Sequence, residues 1–267
     1  MATQSEHIKN ALKLFRSTQY RHDLHTLFSD CMEMMATSIS NAVDLRSKDA
    51  REQRYLEIVG RYDRQVVDTF PRIFAEVTMA LESEPGDVLG AIFGELELHN
   101  AARGQFFTPY SVCRMMAEAT GIDSQEMRDI IACEGFVTAM EPACGAGAMV
   151  IALAETMRGA DINYQRHLHV TAVDIDRRAV HMCYIQLSLL HVPAVVIVGD
   201  SLSLKMQDYW YTPAHILGGW TQKLANRHRR PSDDDASPAI VRPSPHDAGP
   251  RIVIGPPGRR GEQLTLF

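Results

Sequence analysis

The sequence predicts an α/β fold, in which a parallel sheet follows an all-helical N-terminal region. Between residues 6 and 100, apolar side chains recur at helical spacing with few glycines or prolines. After residue 136, short apolar runs end in glycine or aspartate and alternate with helix-like segments, which is typical of parallel strands joined by helices. We therefore expect a helical domain over residues 1–100, a sheet domain over residues 101–220 and a tail over residues 221–267.

Composition excludes several protein classes. Hydrophobic residues make up 45% of the 267 residues, which supports a core and excludes global disorder. The sequence has no apolar run of about 18 residues and no signal peptide, so we expect a cytoplasmic protein without a membrane partner. Five irregularly spaced cysteines predict free thiols in a reducing compartment, and the absence of paired Cys or His motifs argues against a metal site.

The charge is unevenly distributed along the chain. Residues 1–220 carry 19 basic and 28 acidic side chains, a net of −9, whereas residues 221–267 carry 8 and 5, a net of +3. Non-specific affinity for DNA comes from Lys and Arg, so this balance predicts a protein that holds DNA through a partner subunit or not at all. Residues 221–260 contain 7 of the 13 prolines and an acidic triplet, which predicts an unfolded segment.

Local signals place the boundaries of several helices. Pro71 lies inside a helical pattern and predicts a kink or a restarted helix, and Asp87 can cap the helix that follows it. Thr108-Pro109 is a helix start, because Thr can cap and Pro at the first helical position loses only an unbonded amide. That helix should run to about Ala119.

The chain is organised around a glycine turn at residues 141–150, Glu-Pro-Ala-Cys-Gly-Ala-Gly-Ala-Met-Val. An apolar run precedes it and a helix-like run follows, which is the order of a nucleotide-binding corner. A dinucleotide fingerprint would have Gly or Ala where this chain has Val150. Glu141 precedes the turn instead, and a carboxylate there repels a pyrophosphate but suits the ammonium and sulfonium of S-adenosylmethionine (AdoMet).

Two further apolar runs end in an acidic residue. Residues 167–173 predict a second strand ending at Asp174, which can accept hydrogen bonds from two ribose hydroxyls. Asp176 is the predicted cap of an almost wholly apolar, hence buried, helix over residues 177–190. Residues 195–198 predict a third parallel strand, after which Asp200 is either a ligand contact or a simple turn former.

These motifs together resemble those of adenine-specific DNA methyltransferases, especially the modification subunits of type I restriction systems. Residues 141–149 resemble the AdoMet motif, which usually begins with Asp; residues 104–109, Gly-Gln-Phe-Phe-Thr-Pro, resemble the upstream motif; and the stretches around Asp174 and Asp200 resemble the next two. The resemblance implies a Rossmann-like AdoMet-dependent methyltransferase sheet behind a helical N-terminal domain. It also implies cofactor contacts from Phe107, Thr108, Pro109, Glu141, Pro142, Ala143, Cys144, Gly145, Gly147, Asp174, Ile175, Asp200 and Ser201.

The resemblance stops after Leu204. The family's (Asn/Asp/Ser)-Pro-Pro-aromatic motif accepts hydrogen bonds from the adenine amine and stacks on the flipped base, and residues 209–220 contain no such tetrapeptide. Trp210, Tyr211 or Trp220 could supply the stacking ring. Gly255-Pro256-Pro257-Gly258 lacks both the acceptor and the aromatic, so it is a decayed motif or a coincidence. Only 67 residues follow Asp200, too few for the four remaining strands of a complete sheet, so we expect an incomplete one.

The last five residues suggest a partner. They resemble the peptide by which bacterial replication and repair proteins dock into the sliding clamp, which implies clamp contacts from Gln263, Leu264, Leu266 and Phe267. A chance match to a short motif is the alternative.

Three functional hypotheses follow from the sequence. The first is an AdoMet-dependent, adenine-specific DNA methyltransferase of the restriction-modification type. The second is a catalytically silent AdoMet-binding relative that works as a subunit, decoy or regulator. The third is a clamp-tethered accessory protein in which AdoMet is only a structural ligand.

Overall fold

The computed structural model describes residues 2–18, 22–98, 108–119, 124–227 and 264–265. The N-terminal part is helical, as predicted, and comprises α1 (Gln4–Thr18), α2 (Leu24–Asn41), α3 (Lys48–Val59), α4 (Arg64–Val67), α5 (Phe70–Ser83) and α6 (Val88–Glu95). Pro71 lies in the first turn of α5, so it restarts a helix rather than kinking one. Asp87 caps α6 by accepting the N–H of Gly90 at 2.9 Å.

The rest of the chain alternates between helices and strands. The helices are α7 (Tyr110–Ala119), α8 (Ser124–Glu134), α9 (Ala148–Gly159), α10 (Tyr164–His167), α11 (Arg177–Leu189), α12 (Pro213–Leu217) and α13 (Trp220–Arg227). The strands are β1 (Val137–Glu141), β2 (Leu168–Asp174), β3 (Ala194–Asp200), β4 (Lys205–Tyr211) and β5 (Leu264–Thr265).

The sheet has the strand order β4-β3-β2-β1-β5. Strands β1, β2 and β3 are parallel neighbours joined by helices, with Val137 paired to Leu168 and Val170 paired to Ala194. This confirms the predicted α/β class, a Rossmann-like sheet behind a helical N-terminal region. The predicted incompleteness of the sheet stays a prediction, because residues 228–263 lie outside the described residues. On the far edge, β5 adds only two residues in parallel to β1, opposite Ala139 and Met140.

Strand β4 was not predicted. It runs antiparallel to β3, and a register shift at Val198 and Gly199 marks the start of the hairpin. Glycine is required there, because a Cβ on Gly199 would lie 2.6 Å from Met206 Sδ and 2.9 Å from the Lys205 carbonyl oxygen. The chain therefore turns back after β3 to form an antiparallel hairpin with β4, and the series of parallel strands ends at β3.

Helix α11 is the central helix of the molecule. Its residues from Arg178 to Ser188 are all buried, which confirms the prediction of a buried helix. It packs against α2 and α6 of the N-terminal region on one side and against β2 and β3 on the other. The helical region and the sheet consequently share one apolar core.

A buried arginine also connects the helical region to the sheet. The Arg51 guanidinium donates to the carbonyl of Tyr209 in β4 at 2.8 Å, forms an ion pair with Asp44 at 3.0 Å, and lies 3.9 Å above the ring of Trp210. Asp44 is only 6% exposed, so this ion pair is largely shielded from water.

The prediction of an unfolded segment over residues 221–260 is wrong for its first residues, because α13 continues to Arg227. Trp220 anchors α13 by packing its ring on Phe136 and His169, and Arg227 donates to Thr138 Oγ1 in β1 at 3.2 Å. The remainder of that segment, from residue 228, lies outside the described residues. Across the described ranges, no helix combines the length and apolarity that crossing a membrane requires.

Candidate functional site

The glycine turn connects β1 to α9 at the carboxyl end of the sheet. Gly145 and Gly147 both have positive φ, 52° and 95°, a conformation in which a side chain is strained. The turn closes on itself where the Gly147 N–H donates to the Cys144 carbonyl at 2.7 Å. It is tied to β2 where the Cys144 N–H donates to the Val173 carbonyl at 2.8 Å. The loop is thus held by its own internal hydrogen bond and by β2.

Asp174 lies directly against this turn. Its carboxylate accepts the N–H of Gly145 at 2.8 Å with one oxygen and the N–H of Asp176 at 2.9 Å with the other. Burial raises the pKa of Asp174, and the negative charge of Asp176 adds to that effect, while the backbone N–H groups oppose it. Each oxygen keeps a second lone pair, so the carboxylate can still accept hydrogen bonds from a ligand.

Glu141 is the second carboxylate of the turn. It ends β1, is only 5% exposed, and accepts the N–H of Ala143 at 3.1 Å. Burial raises its pKa, and the nearby charge of Asp174 raises it further. A buried and a half-buried carboxylate that repel each other favour a positively charged ligand near them. The chemistry of this pair therefore fits a cation.

The carboxyl end of β2 also exposes an apolar side chain. Ile175 follows Asp174 and is 74% exposed, although it follows the buried residues of the strand. The turn residues Pro142 and Gly145 are half-buried, Ala143 is exposed, and Cys144 and Gly147 are buried. Cys144 and Gly147 can thus shape the site only through their backbone and packing.

Asp200 ends β3 at the same edge of the sheet. Its side chain accepts the N–H groups of Leu202 at 2.9 Å and Ser203 at 3.3 Å, and the Ser203 hydroxyl at 2.7 Å. These hydrogen bonds, that of the Ser203 hydroxyl above all, lower the pKa of Asp200. Asp200 therefore forms a turn as an ionised side chain, which agrees with the second interpretation of the sequence. Ser201 is half-buried beside it. Contact of these two residues with a cofactor stays a prediction.

The upstream motif is only partly described. Phe107 lies outside the described residues, and Thr108 and Pro109 are exposed at the start of α7. Helix α7 packs along α9, the helix that the glycine turn begins, and the Tyr110 hydroxyl donates to Glu155 of α9. The structure therefore brings α7, which follows this motif, to the helix of the glycine turn.

The tryptophans proposed as stacking rings are buried, so that suggestion is wrong for both of them. Trp210 is 3% exposed and contacts Arg51 and the ring of His181, while Trp220, the first residue of α13, is 1% exposed and packs on Phe136 and His169. Tyr211 is half-buried and contacts His215. The tryptophans stabilise the fold and are not free to stack on a base.

The predicted partner residues are mostly undescribed. Gln263, Leu266 and Phe267 lie outside the described residues, as does the sequence Gly255-Pro256-Pro257-Gly258. Leu264 lies in β5, where its backbone pairs with Ala139.

One residue at the turn was missed by the sequence analysis. Gln186 of α11 donates its side-chain amide to the Ala146 carbonyl at 2.8 Å, inside the turn. The available signal was a polar amide in a helix that the sequence predicts to be buried.

Comparison with known proteins agrees with the motifs. Residues 86–217 match the family model described as N-6 DNA methylase. The predicted family resemblance is thereby confirmed. The matched segment runs from the cap of α6 through the glycine turn and the carboxyl ends of β2 and β3 to the end of α12. The matched segment therefore contains every described residue of the predicted cofactor site. The match supports a methyltransferase-like function for this part of the chain.

A solved structure from Listeria monocytogenes, described as a candidate class I S-adenosylmethionine-dependent methyltransferase, is similar at 14% identity and a TM-score of 0.40. The similarity covers 74% of this chain and 54% of that one. Comparison with curated proteins gives no match.

Proposed function

We propose that the chain binds AdoMet at the glycine turn and works in adenine-specific DNA methylation of the restriction-modification type. The observation that carries this proposal is the hydrogen bond from Gly145 N to Asp174, which brings the turn and the carboxylate into one site beside Glu141. Glu141 would face the cationic methionine end of the cofactor, and Asp174 would accept the ribose hydroxyls. Ile175 offers an exposed apolar side chain to the adenine ring.

These residues fit AdoMet by their chemistry. The buried Glu141, whose pKa the charge of the half-buried Asp174 raises, gains from a ligand that carries a sulfonium and an ammonium. When bound, AdoMet supplies an electrophilic methyl group. This chain's residues would hold and orient the cofactor. Gly145 and Gly147, which carry no Cβ, would let the backbone of the turn come close to it.

Two candidate functions share this cofactor site. The first is an active adenine-specific DNA methyltransferase, which follows from the N-6 DNA methylase match. The second is an AdoMet-binding relative that does not transfer methyl groups and serves as a subunit, decoy or clamp-tethered accessory. The second is favoured by the missing (Asn/Asp/Ser)-Pro-Pro-aromatic motif and by the burial of Trp210 and Trp220.

Calorimetric titration with AdoMet tests the shared site. Asp174→Asn should weaken binding about tenfold or more, because an amide offers one acceptor where the carboxylate now accepts two backbone N–H groups as well as the ligand. Asp49→Asn is the matched control, since Asp49 is exposed on α3. Wild-type protein that binds no AdoMet would refute the proposal.

A methyl-transfer assay separates the two candidates. The full chain is incubated with labelled AdoMet and adenine-containing DNA, and the label on DNA is counted. Transfer to adenine supports the enzyme, whereas AdoMet binding without transfer supports the silent relative.

The partners are part of the same proposal. The acidic net charge of residues 1–220 suggests that DNA is held through a partner subunit, and the C-terminal peptide suggests docking to the sliding clamp. Deleting residues 263–267 and measuring clamp binding tests the second suggestion, and unchanged affinity would refute it. In the structure Leu264 and Thr265 pair with β1, so clamp docking would have to compete with that pairing.

A further inference from the structure

Gln186 connects three parts of the molecule through one buried amide. The side chain is fully buried in α11. Its oxygen accepts the N–H of Leu89 in the first turn of α6 at 2.9 Å. Its nitrogen donates to Asp87, the cap of α6, at 2.9 Å and to the Ala146 carbonyl in the glycine turn at 2.8 Å. One acceptor and two donors are used, and a primary amide is the side chain that offers this set.

The contact with Ala146 lies within the proposed cofactor loop. Ala146 separates Gly145, whose N–H is held by Asp174, from Gly147, which begins α9. The loop is therefore held at two successive residues, by a carboxylate acting on an N–H and by an amide acting on a carbonyl. Without Gln186 the buried Ala146 carbonyl would lack this donor, so the loop would shift to regain one.

Gln186 also contacts Asp87, which lies in the helical N-terminal region. Asp87 Oδ1 receives both the Gly90 N–H, at 2.9 Å, and the Gln186 amide. Burial raises the pKa of Asp87, and the Gln186 amide opposes that rise by donating to the carboxylate. The start of α6 and the glycine turn are thus attached to the same side chain.

We propose that Gln186 is a positioning residue for the cofactor, which sets the backbone of the glycine turn from the start of α6. The inference rests on the proposed AdoMet function. It assigns Gln186 no contact with the cofactor: the residue acts through Ala146. A helix-to-sheet tether that served stability alone would use the same contacts with Asp87 and Leu89 and would not need the contact with Ala146.

A charge swap separates these two roles. In Gln186→Glu, the new side chain has no hydrogen to donate to Asp87 or to the Ala146 carbonyl once it is ionised. Burial raises the pKa of a carboxyl group, so the variants are compared at a pH high enough to ionise residue 186. Adding Asp87→Asn restores a donor opposite residue 186, and Asn still caps α6. The swap therefore repairs the contact with α6 but leaves the Ala146 carbonyl without a donor.

The experiment measures AdoMet affinity by calorimetry and thermal stability for the wild type, Gln186→Glu and the double variant Asp87→Asn/Gln186→Glu. Phe15→Leu, which removes core packing against Phe28 in the N-terminal helices, is the control for lost stability. The amide nitrogen resonance of Gly147 in a ¹⁵N-labelled sample reports directly on the Ala146 carbonyl, because the two share a peptide group.

Three results are expected in protein whose wild type binds AdoMet. The swap regains most of the stability lost by Gln186→Glu, both variants bind AdoMet about tenfold more weakly than the wild type, and the Gly147 resonance stays shifted in both. Phe15→Leu loses stability but keeps its affinity. Recovery of affinity together with stability in the swap, or equal loss of affinity in Phe15→Leu, would overturn the inference. A wild type that binds no AdoMet overturns the proposed function itself, and the inference with it.

Discussion

Replacing Gly147 by alanine tests the geometry of the glycine turn most directly. Gly147 has φ of 95°, and a Cβ there would lie 3.0 Å from the sulfur of Cys183 in α11. The left-handed backbone costs an alanine about 1–2 kcal/mol, and forcing a methyl group against a buried side chain costs about 1–3 kcal/mol. We therefore expect Gly147→Ala to lower the free energy of unfolding by about 2–5 kcal/mol and to weaken AdoMet binding.

Two other glycines separate these effects in urea unfolding. Gly135 has φ of 88°, and no atom lies within 4 Å of the position that a Cβ would occupy, so Gly135→Ala should show only the backbone cost of about 1–2 kcal/mol. Gly159, in the same helix as the turn, has neither a positive φ nor a neighbour, so Gly159→Ala should be neutral or stabilise by up to about 1 kcal/mol.

The contribution of Cys183 can be removed in a double variant. Cys183→Ala takes away the sulfur that the new methyl group meets, so Gly147→Ala should cost about 1–2 kcal/mol in that background, as at Gly135. If Gly147→Ala in the natural background costs no more than Gly135→Ala, the close approach between the turn and α11 is not a constraint, and this account of the turn is refuted.

Three further predictions concern charge. AdoMet affinity should fall as the pH is lowered from 7 towards the raised pKa values of Glu141 and Asp174, because protonation removes the negative charge that the cofactor meets; Glu141→Gln should flatten this dependence, and an equally steep profile in calorimetry would contradict it. Arg51→Met should lower the free energy of unfolding, measured in urea, by about 3–5 kcal/mol, because it leaves the buried Asp44 without its ion-pair partner. Adding Asp44→Asn should recover part of that loss, and an equal loss in the single and double variants would contradict the ion pair. Burial lowers the pKa of His169 from 6.5 to about 3, so below pH 6.5 the unfolded chain takes up a proton that the folded protein does not, and the free energy of unfolding falls. That fall from pH 7 to pH 5 should be about 2 kcal/mol smaller in His169→Gln, and an unchanged fall would count against this account.

The parts of the fold that follow from local patterns were predictable. Three apolar runs, the glycine turn and the buried helix α11 each have a periodicity or a backbone requirement that few other structures satisfy. The acidic strand ends were predictable for the same reason, since the carboxyl ends of parallel strands share one edge of the sheet. The contact between Asp174 and Gly145 is the consequence.

Strand β4 and the role of Gln186 were not predictable in this way. Residues 205–211 contain the polar side chains Lys205, Gln207 and Asp208, and their strand conformation depends on pairing with β3 rather than on an apolar run. Gln186 is a polar residue in a helix that was predicted to be buried, but its partners lie 40 or more residues away in sequence, at Ala146 and Asp87. Long-range pairing decides both features.

Binding a cofactor and transferring its methyl group place separate demands on this chain. For the first demand the described residues offer a turn with two positive-φ glycines, and Glu141 and Asp174 lie at the same edge of the sheet. The second demand is an acceptor for the adenine amine and a free aromatic ring. Neither described tryptophan is free, because Trp210 packs against Arg51 and Trp220 packs on Phe136. Because Trp210 supports the Arg51 contact and Trp220 anchors α13, freeing either ring to stack on a base would dismantle part of the fold. An active enzyme would therefore have to obtain its base-stacking ring from the half-buried Tyr211 or from outside these elements, whereas an AdoMet-binding subunit would not need such a ring.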